Sequence, residues 1–297
     1  MRSPRGRFLR RLAVGLGLFA LPPMAGASWG FLEARRDPVV VRHRAALAGL
    51  PPGPRLKVVL LSDPHAGSWD MPYRRLDRIV AQVNALEPDL VLLAGDYFAI
   101  HRIGQPPERD LVRALRPLAG LRARFGVWAV RGNHDNAWTH RIFAQQASPV
   151  LLVNRWVRAG PVVVAGIDSS SLSSDPARAL AGVPADRPLI VLVHEPEQAL
   201  ALPPLERRAG TLVLAGHTHG GQVCLPLLGC PVTWREGPYP CRRGWCRLGG
   251  HAVLVTSGVG TSTVPLRIGV PPEVVELRLY PAGGRNSGTD RYRSPVS

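Results

Sequence analysis

The chain has 297 residues, of which 45% are hydrophobic, and a formal net charge of +16 at pH 7. Its length and apolar content suit one large α/β domain with short appendages. The charge comes almost entirely from arginine, since Lys57 is the only lysine. The arginines are scattered and form no basic stripe interleaved with aromatic residues, which argues against dedicated nucleic-acid binding. Genome composition explains such an excess of arginine over lysine as well as selection for an anionic partner does. A basic surface would still attract phosphorylated substrates and anionic lipid.

Residues 1–32 have the features of a membrane-targeting segment. The span from residue 12 to residue 32 is uncharged, and it is long enough to cross a bilayer. An apolar block followed by small residues at 25–27 also fits a cleavable export signal. We therefore expect either a retained membrane anchor or a cleaved signal. The span is preceded by Arg2, Arg5, Arg7, Arg10 and Arg11.

The charge around this segment predicts its orientation. Five arginines before the span favour a cytoplasmic start, which places the globular domain on the other side of the membrane. Four arginines follow the span closely and reduce this bias, so the cytoplasmic side stays open. These four are Arg35, Arg36, Arg42 and Arg44.

The next part of the chain is predicted to lead from a linker into an α/β domain. Residues 33–54 have mixed charge and end in a Pro/Gly-rich run, which is typical of a linker. The folded domain is expected at 55–281. A strand-like run at 57–65 is followed by an amphipathic helix at 74–86 and a second strand at 90–96.

Beyond residue 120 the chain is rich in apolar, strand-like runs with little helix between several of them. That many strands predicts two sheets rather than one. The polar, Gly/Ser-rich tail at 282–297 is predicted to be disordered. The runs lie at 127–135, 150–156, 161–168, 189–195, 211–219, 252–258 and 273–280.

All four cysteines lie in one short insert, 224–247. In an oxidising compartment they would form two disulfides, with three possible pairings. In a reducing one, four thiolates could hold a structural zinc ion, but the spacings are looser than those of usual zinc sites. The pattern favours disulfides. The cysteines are Cys224, Cys230, Cys241 and Cys246.

Five of the strand-like runs end in residues that bind metal ions. Because strand ends at one edge of a sheet converge, these residues could meet although they are far apart in the sequence. Carboxylate, amide and imidazole groups of this number are enough for two metal ions. The candidates are Asp63, His65, Asp96, Asn133, His194, His217 and His219.

The order D-x-H, G-D, G-N-H-D, H and G-H-x-H resembles the calcineurin-like binuclear metallophosphoesterase family over residues 55–280. The resemblance implies a four-layer α/β/β/α sandwich of two mixed sheets flanked by helices. It also implies two divalent metal ions, Mn, Fe or Zn, bridged by Asp96. One ion would be held by Asp63, His65, Asp96 and His219, and the other by Asp96, Asn133, His194 and His217.

The same resemblance implies hydrolysis of a phosphoester by a hydroxide shared between the ions, without a protein nucleophile. His134 is then the candidate acid for the leaving oxygen, with Asp135 orienting its imidazole or, alternatively, capping a helix. Ser62, Tyr97 and Trp138 flank these motifs and could contact substrate, although core packing explains the aromatic residues equally well.

The run G-H-T-H-G-G-Q and residues 257–279 resemble a membrane-associated bacterial branch of the family. This implies phosphodiester or pyrophosphate hydrolysis near a membrane, with the domain on the periplasmic or outer face of the inner membrane. Alternatives are a UDP-2,3-diacylglucosamine pyrophosphate hydrolase of lipid A synthesis and a non-catalytic phospholipid-binding protein. The chain is expected to be a monomer.

Two features near the expected pocket have open roles. Arg267 could bind substrate phosphate through two hydrogen bonds, or form a salt bridge in a solvated loop. The insert at 224–247 could form a substrate lid or a lip facing the membrane, because Trp234, Tyr239 and Trp245 lie in it. Alternatively, it is a stapled surface loop that packs its own aromatic residues.

Overall fold

The computed structural model of the protein describes residues 25–53, 55–99, 112–113, 115–205, 210–230 and 241–282. None of the helices in these ranges is both long and apolar enough to cross a membrane. The strands are β1 Val39–Leu47, β2 Leu56–Leu61, β3 Leu90–Leu93, β4 Val127–Ala129, β5 Val150–Leu151, β6 Arg155–Ala159, β7 Val162–Gly166, β8 Leu189–Leu192, β9 Thr211–Ala215, β10 Gly244–Leu248, β11 His251–Val255 and β12 Glu273–Pro281.

These strands form two six-stranded mixed sheets. The first has the order β1-β12-β2-β3-β4-β5, and the second has the order β10-β11-β9-β8-β7-β6. In the first sheet only the β12–β2 pair is antiparallel. In the second sheet the two outer pairs, β10–β11 and β6–β7, are antiparallel around a parallel centre. The parallel centres place the carboxyl ends of β2, β3, β4, β8 and β9 at sheet edges.

The two sheets pack face to face through alternate residues of their strands. In β2, Val58 and Leu60 enter the core between the sheets, whereas Val59 and Leu61 enter the core on the outer face. Side chains of successive strand residues point to opposite faces, so a run that is apolar at every position is buried on both sides. Continuous apolar runs such as Leu90–Leu93 therefore form central strands.

Helices cover the outer faces of both sheets. Helix α1 spans residues 25–35, α2 Tyr73–Ala85, α3 Ala137–Ala144 and α4 Pro176–Leu180. The apolar face of α2 packs on the first sheet, and α4 lies over the second. The predicted four-layer sandwich of two mixed sheets flanked by helices is thus confirmed.

The chain before Arg55 is not the linker that the sequence predicted. Val39–Leu47 forms strand β1, which pairs in parallel with β12 along its whole length. Leu47 and Leu50 are buried in the core between the sheets. Alternation of apolar residues with Arg42 and Arg44 concealed this strand, because polar residues on one face suit an edge strand as well as a linker.

The four cysteines form two disulfides, Cys224–Cys230 and Cys241–Cys246, as the sequence favoured. Strand β10 lies at the end of the insert and carries Trp245, which packs at the margin of the core between the sheets. Trp234 and Tyr239 lie outside the described residues, as do residues 1–24 of the targeting segment and most of the polar tail.

Candidate metal centre

The predicted ligands lie in the loops that follow five strands. Asp63 and His65 follow β2, Asp96 follows β3, and Asn133 follows β4. The second sheet contributes the loops after β8 and β9. Because both sheets present these ends at the same edge of the sandwich, ligands from the two sheets meet there. The residues contributed by the second sheet are His194, His217 and His219.

Asp63, His65 and His219 form the first buried group. His65 Nε2 lies 3.2 Å from His219 Nε2, and His219 Nε2 lies 3.6 Å from Asp63 Oδ1. The backbone of the loop after β9 is tied to the loop after β2, because His217 N donates a hydrogen bond of 3.0 Å to Asp63 Oδ2. This group therefore joins the two sheets.

Asp96, His194 and His217 form the second group. His194 Nε2 lies 3.1 Å from His217 Nδ1 and 3.0 Å from Asn133 Oδ1. The Asn133 amide oxygen thus faces the same point as the three groups that could hold an ion. The structure brings together all seven candidates named from the sequence.

One oxygen of Asp96 lies between the two groups. Asp96 Oδ2 is 3.5 Å from His65 Nε2 and 3.3 Å from His194 Nε2. The other oxygen, Oδ1, accepts a hydrogen bond of 2.8 Å from His134 N. Asp96 therefore stands where a carboxylate that bridges two ions would have to be.

The ligand loops have a backbone conformation that is uncommon for residues other than glycine. Five of the seven candidates have positive φ angles, between 41° and 72°. Such strain persists where the surroundings fix it, and it clusters at functional sites. The five are Asp63, His65, Asp96, His217 and His219.

Two glycines allow the loops after β3 and β4 to approach each other. Gly95 has a φ of 93°, and a Cβ atom on it would lie 2.5 Å from Gly132 N. A Cβ atom on Gly132 would lie 2.7 Å from His194 Cε1. Any larger residue at either position would push Asp96 and His194 apart.

The tautomers of two histidines suit metal binding. His65 Nδ1 faces the carbonyl oxygen of Phe98 at 3.1 Å, and His194 Nδ1 faces that of Ala94 at 2.6 Å. A carbonyl oxygen only accepts, so each Nδ1 carries the proton. For neutral rings, each Nε2 then presents a lone pair to the cluster, as in metal sites where a carbonyl orients the histidine.

Buried atoms in the cluster also suit a cation. Within the described residues, Asp63 Oδ1 has no hydrogen-bond partner although it is buried. The two imidazole nitrogens of the first group face each other at 3.2 Å. Unpaired buried polar atoms are costly, and an ion between them would satisfy several at once. The residues present therefore fit two divalent ions.

Burial and mutual charge shift the pKa values of the ligands in opposite directions. Burial raises the pKa of Asp63 to about 6 and lowers that of His65 to about 4. Burial, together with the neighbouring His65, holds the pKa of His219 well below its usual range. The first group therefore contains neutral imidazoles at neutral pH.

The second group contains a charged pair. Burial raises the pKa of Asp96, but His194, His65 and His134 together lower it by more, so the pKa of Asp96 lies well below its usual range. Burial lowers the pKa of His194, but the attraction of Asp96 outweighs it and keeps that pKa well above its ordinary value. In the metal-free protein a proton on His194 thus occupies a position suited to a metal ion.

His134 stands at the rim of the cluster. Its side chain is 29% exposed, and its Nε2 lies 4.0 Å from Asp96 Oδ2. The imidazole packs edge-on against His65, with 5.0 Å between ring centroids. His134 Nδ1 has no hydrogen-bond partner within the described residues. The ring is therefore both accessible from outside and close to the ligands.

Asp135 does not orient His134, contrary to the sequence-based expectation. Its carboxylate accepts hydrogen bonds from the backbone N–H groups of Asp96, Tyr97 and Gly132, at 2.8–3.0 Å. Burial and the neighbouring Asp96 raise the pKa of Asp135 to about 7. The alternative role as a helix cap is also absent, since Asn136 caps α3. Asp135 instead ties the loops after β3 and β4 together.

Arg267 is fully buried, and its guanidinium is bound by backbone carbonyls. Its three guanidinium nitrogens donate to backbone carbonyls, which include Ser257 O at 2.6 Å and Gly260 O at 3.0 Å from Nε. In turn, Val259 N donates to Ser62 O, and Gly260 N donates to Asp63 O. Arg267 thus supports the loop that holds Asp63, and its buried guanidinium is not available for the phosphate binding that the sequence suggested.

The remaining residues flanking the motifs are structural in this arrangement. Tyr97 is buried, and its hydroxyl donates to Val130 O at 2.8 Å. Trp138 packs against the outer core of the first sheet, and Ser62 is 1% exposed. Gln222 is buried and holds residues 262–264 through its amide. The sequence had offered Ser62, Tyr97 and Trp138 as possible substrate contacts and could not separate that role from core packing for the two aromatic residues.

Two backbone carbonyls and one arginine were missed by the sequence analysis. The carbonyls of Ala94 and Phe98 orient ligand histidines, and no side-chain identity marks them. Arg75 lies buried on α2 and donates to Val259 O at 3.1 Å and Arg36 O at 2.8 Å. The one signal for Arg75 in the sequence was the position of an arginine on the apolar face of a predicted helix.

Comparisons with known proteins agree with this geometry. The family model for "Calcineurin-like phosphoesterase" matches residues 56–221. An "Uncharacterized metallophosphoesterase" of Helicobacter pylori (strain J99 / ATCC 700824) is 30% identical over 87% of this chain and 68% of its own length. A "Transmembrane protein with metallophosphoesterase domain" of Bos taurus is 29% identical over 92% of this chain, which spans 64% of that relative.

A relative of similar length matches almost from end to end. The "Uncharacterized metallophosphoesterase YkuE" of Bacillus subtilis is 26% identical over 94% of this chain and 98% of its own length. The matched region from residue 56 to residue 221 contains all seven candidate ligands. The chain belongs to the calcineurin-like phosphoesterase family and is a metallophosphoesterase.

Proposed function

We propose that the protein uses two divalent metal ions to hydrolyse a phosphodiester or pyrophosphate bond of a membrane-associated substrate. The observation that carries this proposal is the position of Asp96 Oδ2, which lies within 3.5 Å of a histidine nitrogen of each ligand group. Family membership alone supports a phosphoester substrate and divalent ions. The shared carboxylate points to two ions acting on one phosphorus atom.

The ligand residues have distinct tasks in this mechanism. Two ions held by these residues would supply an acidified water nucleophile and neutralise charge on the phosphoryl oxygens. His65 and His194 are held by the Phe98 and Ala94 carbonyls, so their Nε2 atoms keep a fixed direction. Asn133 adds a neutral oxygen, which leaves its site with more net positive charge than a carboxylate would.

His134 is proposed to protonate the leaving oxygen. It is the one imidazole in the described cluster that is both partly exposed and outside the two ligand groups. Its Nε2 is 4.0 Å from the shared oxygen of Asp96, so it would offer a proton at the edge of the ligand cluster, on the side that is open to substrate. Asp96 Oδ1 accepts a hydrogen bond from His134 N, which fixes the backbone of His134 beside Asp96.

The membrane-associated substrate rests on the N-terminal segment and on the disulfides. Two disulfides suit an oxidising compartment, which agrees with a domain on the periplasmic or outer face of the membrane. The uncharged span at 12–32 would anchor or export the chain. Of the two alternatives, a UDP-2,3-diacylglucosamine hydrolase would also cleave a pyrophosphate bond, whereas a phospholipid-binding protein would not hydrolyse its ligand.

Hydrolysis of bis(p-nitrophenyl) phosphate with and without Mn²⁺ tests the core of the proposal. We expect metal-dependent turnover that Asp96→Ala abolishes and His134→Ala lowers by about 100-fold. His140→Ala is the matched control, because His140 lies exposed on α3. Full activity of Asp96→Ala would contradict a shared ligand, and metal binding without any turnover would favour the non-catalytic alternative.

The substrate class needs a separate experiment. The full chain in detergent micelles is presented with phosphomonoesters, phosphodiesters, nucleotide pyrophosphates and lipid-linked forms of each. We expect the highest kcat/KM for a lipid-linked diester or pyrophosphate. A preference for soluble monoesters would contradict the proposed substrate and leave the metal mechanism untouched.

A further inference from the structure

We infer that a second surface, separate from the metal centre, lies against the lipid bilayer. This surface comprises the tip of a disulfide-closed hairpin, Leu227 and Leu228, and the outward face of α1, Trp29 and Leu32. All four side chains are exposed: 106% and 73% for the leucines of the tip, 53% for Trp29 and 67% for Leu32. We call it the apolar rim.

The hairpin holds its leucines out in a rigid frame. The Cys224–Cys230 disulfide closes its base, and Leu225 N donates to Gly229 O at 2.7 Å. Leu227 lies at the turn with a φ of 67°, a conformation that normally favours glycine or asparagine. A large apolar residue that is strained and fully exposed gains nothing from the fold itself, so its contact is expected outside the molecule.

Helix α1 is joined to the hairpin through one short segment. Cys224 N donates to Ile268 O at 2.8 Å, and Arg267 N donates to Gly30 O at 2.9 Å. Gly30 and Ala34 form the buried face of α1, so Trp29 and Leu32, one turn apart, point away from the domain. The hairpin and the helix are therefore both hydrogen-bonded to the segment 267–268.

The chain itself indicates that a bilayer is what covers this surface. Helix α1 is described from residue 25 onward, and the uncharged apolar run at 12–24 precedes it in the sequence. If that run enters a membrane, α1 leaves the membrane surface and Trp29 lies at the interface, where tryptophan is favoured. The arginines before the run and the net charge of +16 suit anionic headgroups.

The surface also sits beside the catalytic loops. Gly220 and Gly221 directly follow His219, and a Cβ atom on Gly221 would lie 2.9 Å from Cys230 Cβ. The base of the hairpin thus touches the loop that carries a proposed metal ligand. A rim seated on lipid would hold the metal centre close to headgroup phosphates, which extends the proposed function to substrates that remain in the bilayer.

The test uses the full chain carrying a single environment-sensitive fluorophore on an introduced cysteine. Leu227→Cys and Leu32→Cys report on the rim, so the test remains decisive if one of them does not fold. Leu200→Cys is the control, because Leu200 is 62% exposed on the helical layer over the second sheet. Each variant is reconstituted in phosphatidylcholine vesicles with and without phosphatidylglycerol.

We expect the two rim labels to shift to shorter emission wavelengths and to be quenched by spin-labelled lipid about twofold or more above the control, most strongly with phosphatidylglycerol. Equal quenching at all three positions would overturn the inference. So would a blue shift present before lipid is added, since another segment or a second copy would then cover the rim. This readout needs no turnover, so it can fail while hydrolysis of the chromogenic diester persists.

Discussion

Asp135 influences the candidate metal centre without offering it a ligand atom. Its carboxylate accepts three backbone N–H groups from the loops that carry Asp96 and Asn133. Carboxylates that accept several such bonds position their neighbours. Its role is therefore to set the distance between two ligand loops.

Asp135→Asn is expected to lower turnover by about 10–100-fold and to weaken metal binding. The amide has only one acceptor oxygen, so its NH2 group would face at least one of the three backbone N–H groups. Turnover and Mn²⁺ affinity measured over a pH series check this. The basic limb of the pH profile should stay in place, since Asp135 does not contact His134, and only the acidic limb should change, because Asp135 titrates at its raised pKa of about 7. A displaced basic limb would instead restore the orienting role. Asp175→Asn, at the cap of α4, is the control.

Metal affinity is expected to rise with pH between about 5 and 8. Burial raises the pKa of Asp63 to about 6, so below that pH an incoming ion must displace a proton from it. The pKa of His194 lies well above its ordinary value because of Asp96, so its proton must also leave. Each proton that an ion must displace makes the apparent metal affinity rise by about a further tenfold per pH unit. Titration calorimetry with Mn²⁺ at several pH values measures the slope, and a flat profile would contradict these proton states.

The sequence identified the ligands because each follows an apolar run that ends abruptly. It did not identify the roles of Asp135 and Arg267, since both side chains bind backbone groups, which no residue type marks in a sequence. A carboxylate beside His134 and an arginine near the motifs suit catalysis as well as support. Only the direction of the side chain separates the two, and that direction depends on tertiary packing.

At the level of elements, runs that are buried on both faces were predictable and edge strands were not. Leu90–Leu93 is apolar throughout because both its faces are covered. In β1, Arg42 and Arg44 face outward, and Arg42 pairs with Glu276 of β12 at 3.4 Å. Such alternation is only a weak indication of a strand when the neighbouring strand is unknown, so this segment was predicted to be a linker.

A chain that begins at Arg55 is expected to be less stable than one that begins at Pro38 and keeps β1. It would lose the buried Leu47 and Leu50, worth roughly 3–6 kcal/mol together, and would expose the edge of β12. Urea unfolding followed by circular dichroism compares the two chains. Equal midpoints would show that β1 is dispensable, as the linker interpretation requires.

At the level of the whole molecule, the metal centre connects the two sheets. Each ligand group contains residues from both: Asp63 and His65 meet His219, and Asp96 meets His194 and His217. The core between the sheets is apolar, so it brings the sheets together without fixing the last tenths of an ångström at their edge. Ions bound there would link the sheets directly.

Metal binding is therefore expected to stabilise the entire domain and not only its loops. An ion at a hundred times its Kd contributes about 2.7 kcal/mol, which corresponds to a rise in Tm of about 5 °C or more for a domain of this size. Differential scanning calorimetry with added Mn²⁺ or with a chelator measures the change, with Asp96→Asn as the variant that lacks the shared ligand. The variant should show little of the rise. If instead Mn²⁺ supports turnover without raising the Tm of the native chain, the sheets are not linked through the ions and the centre is a feature of its loops alone.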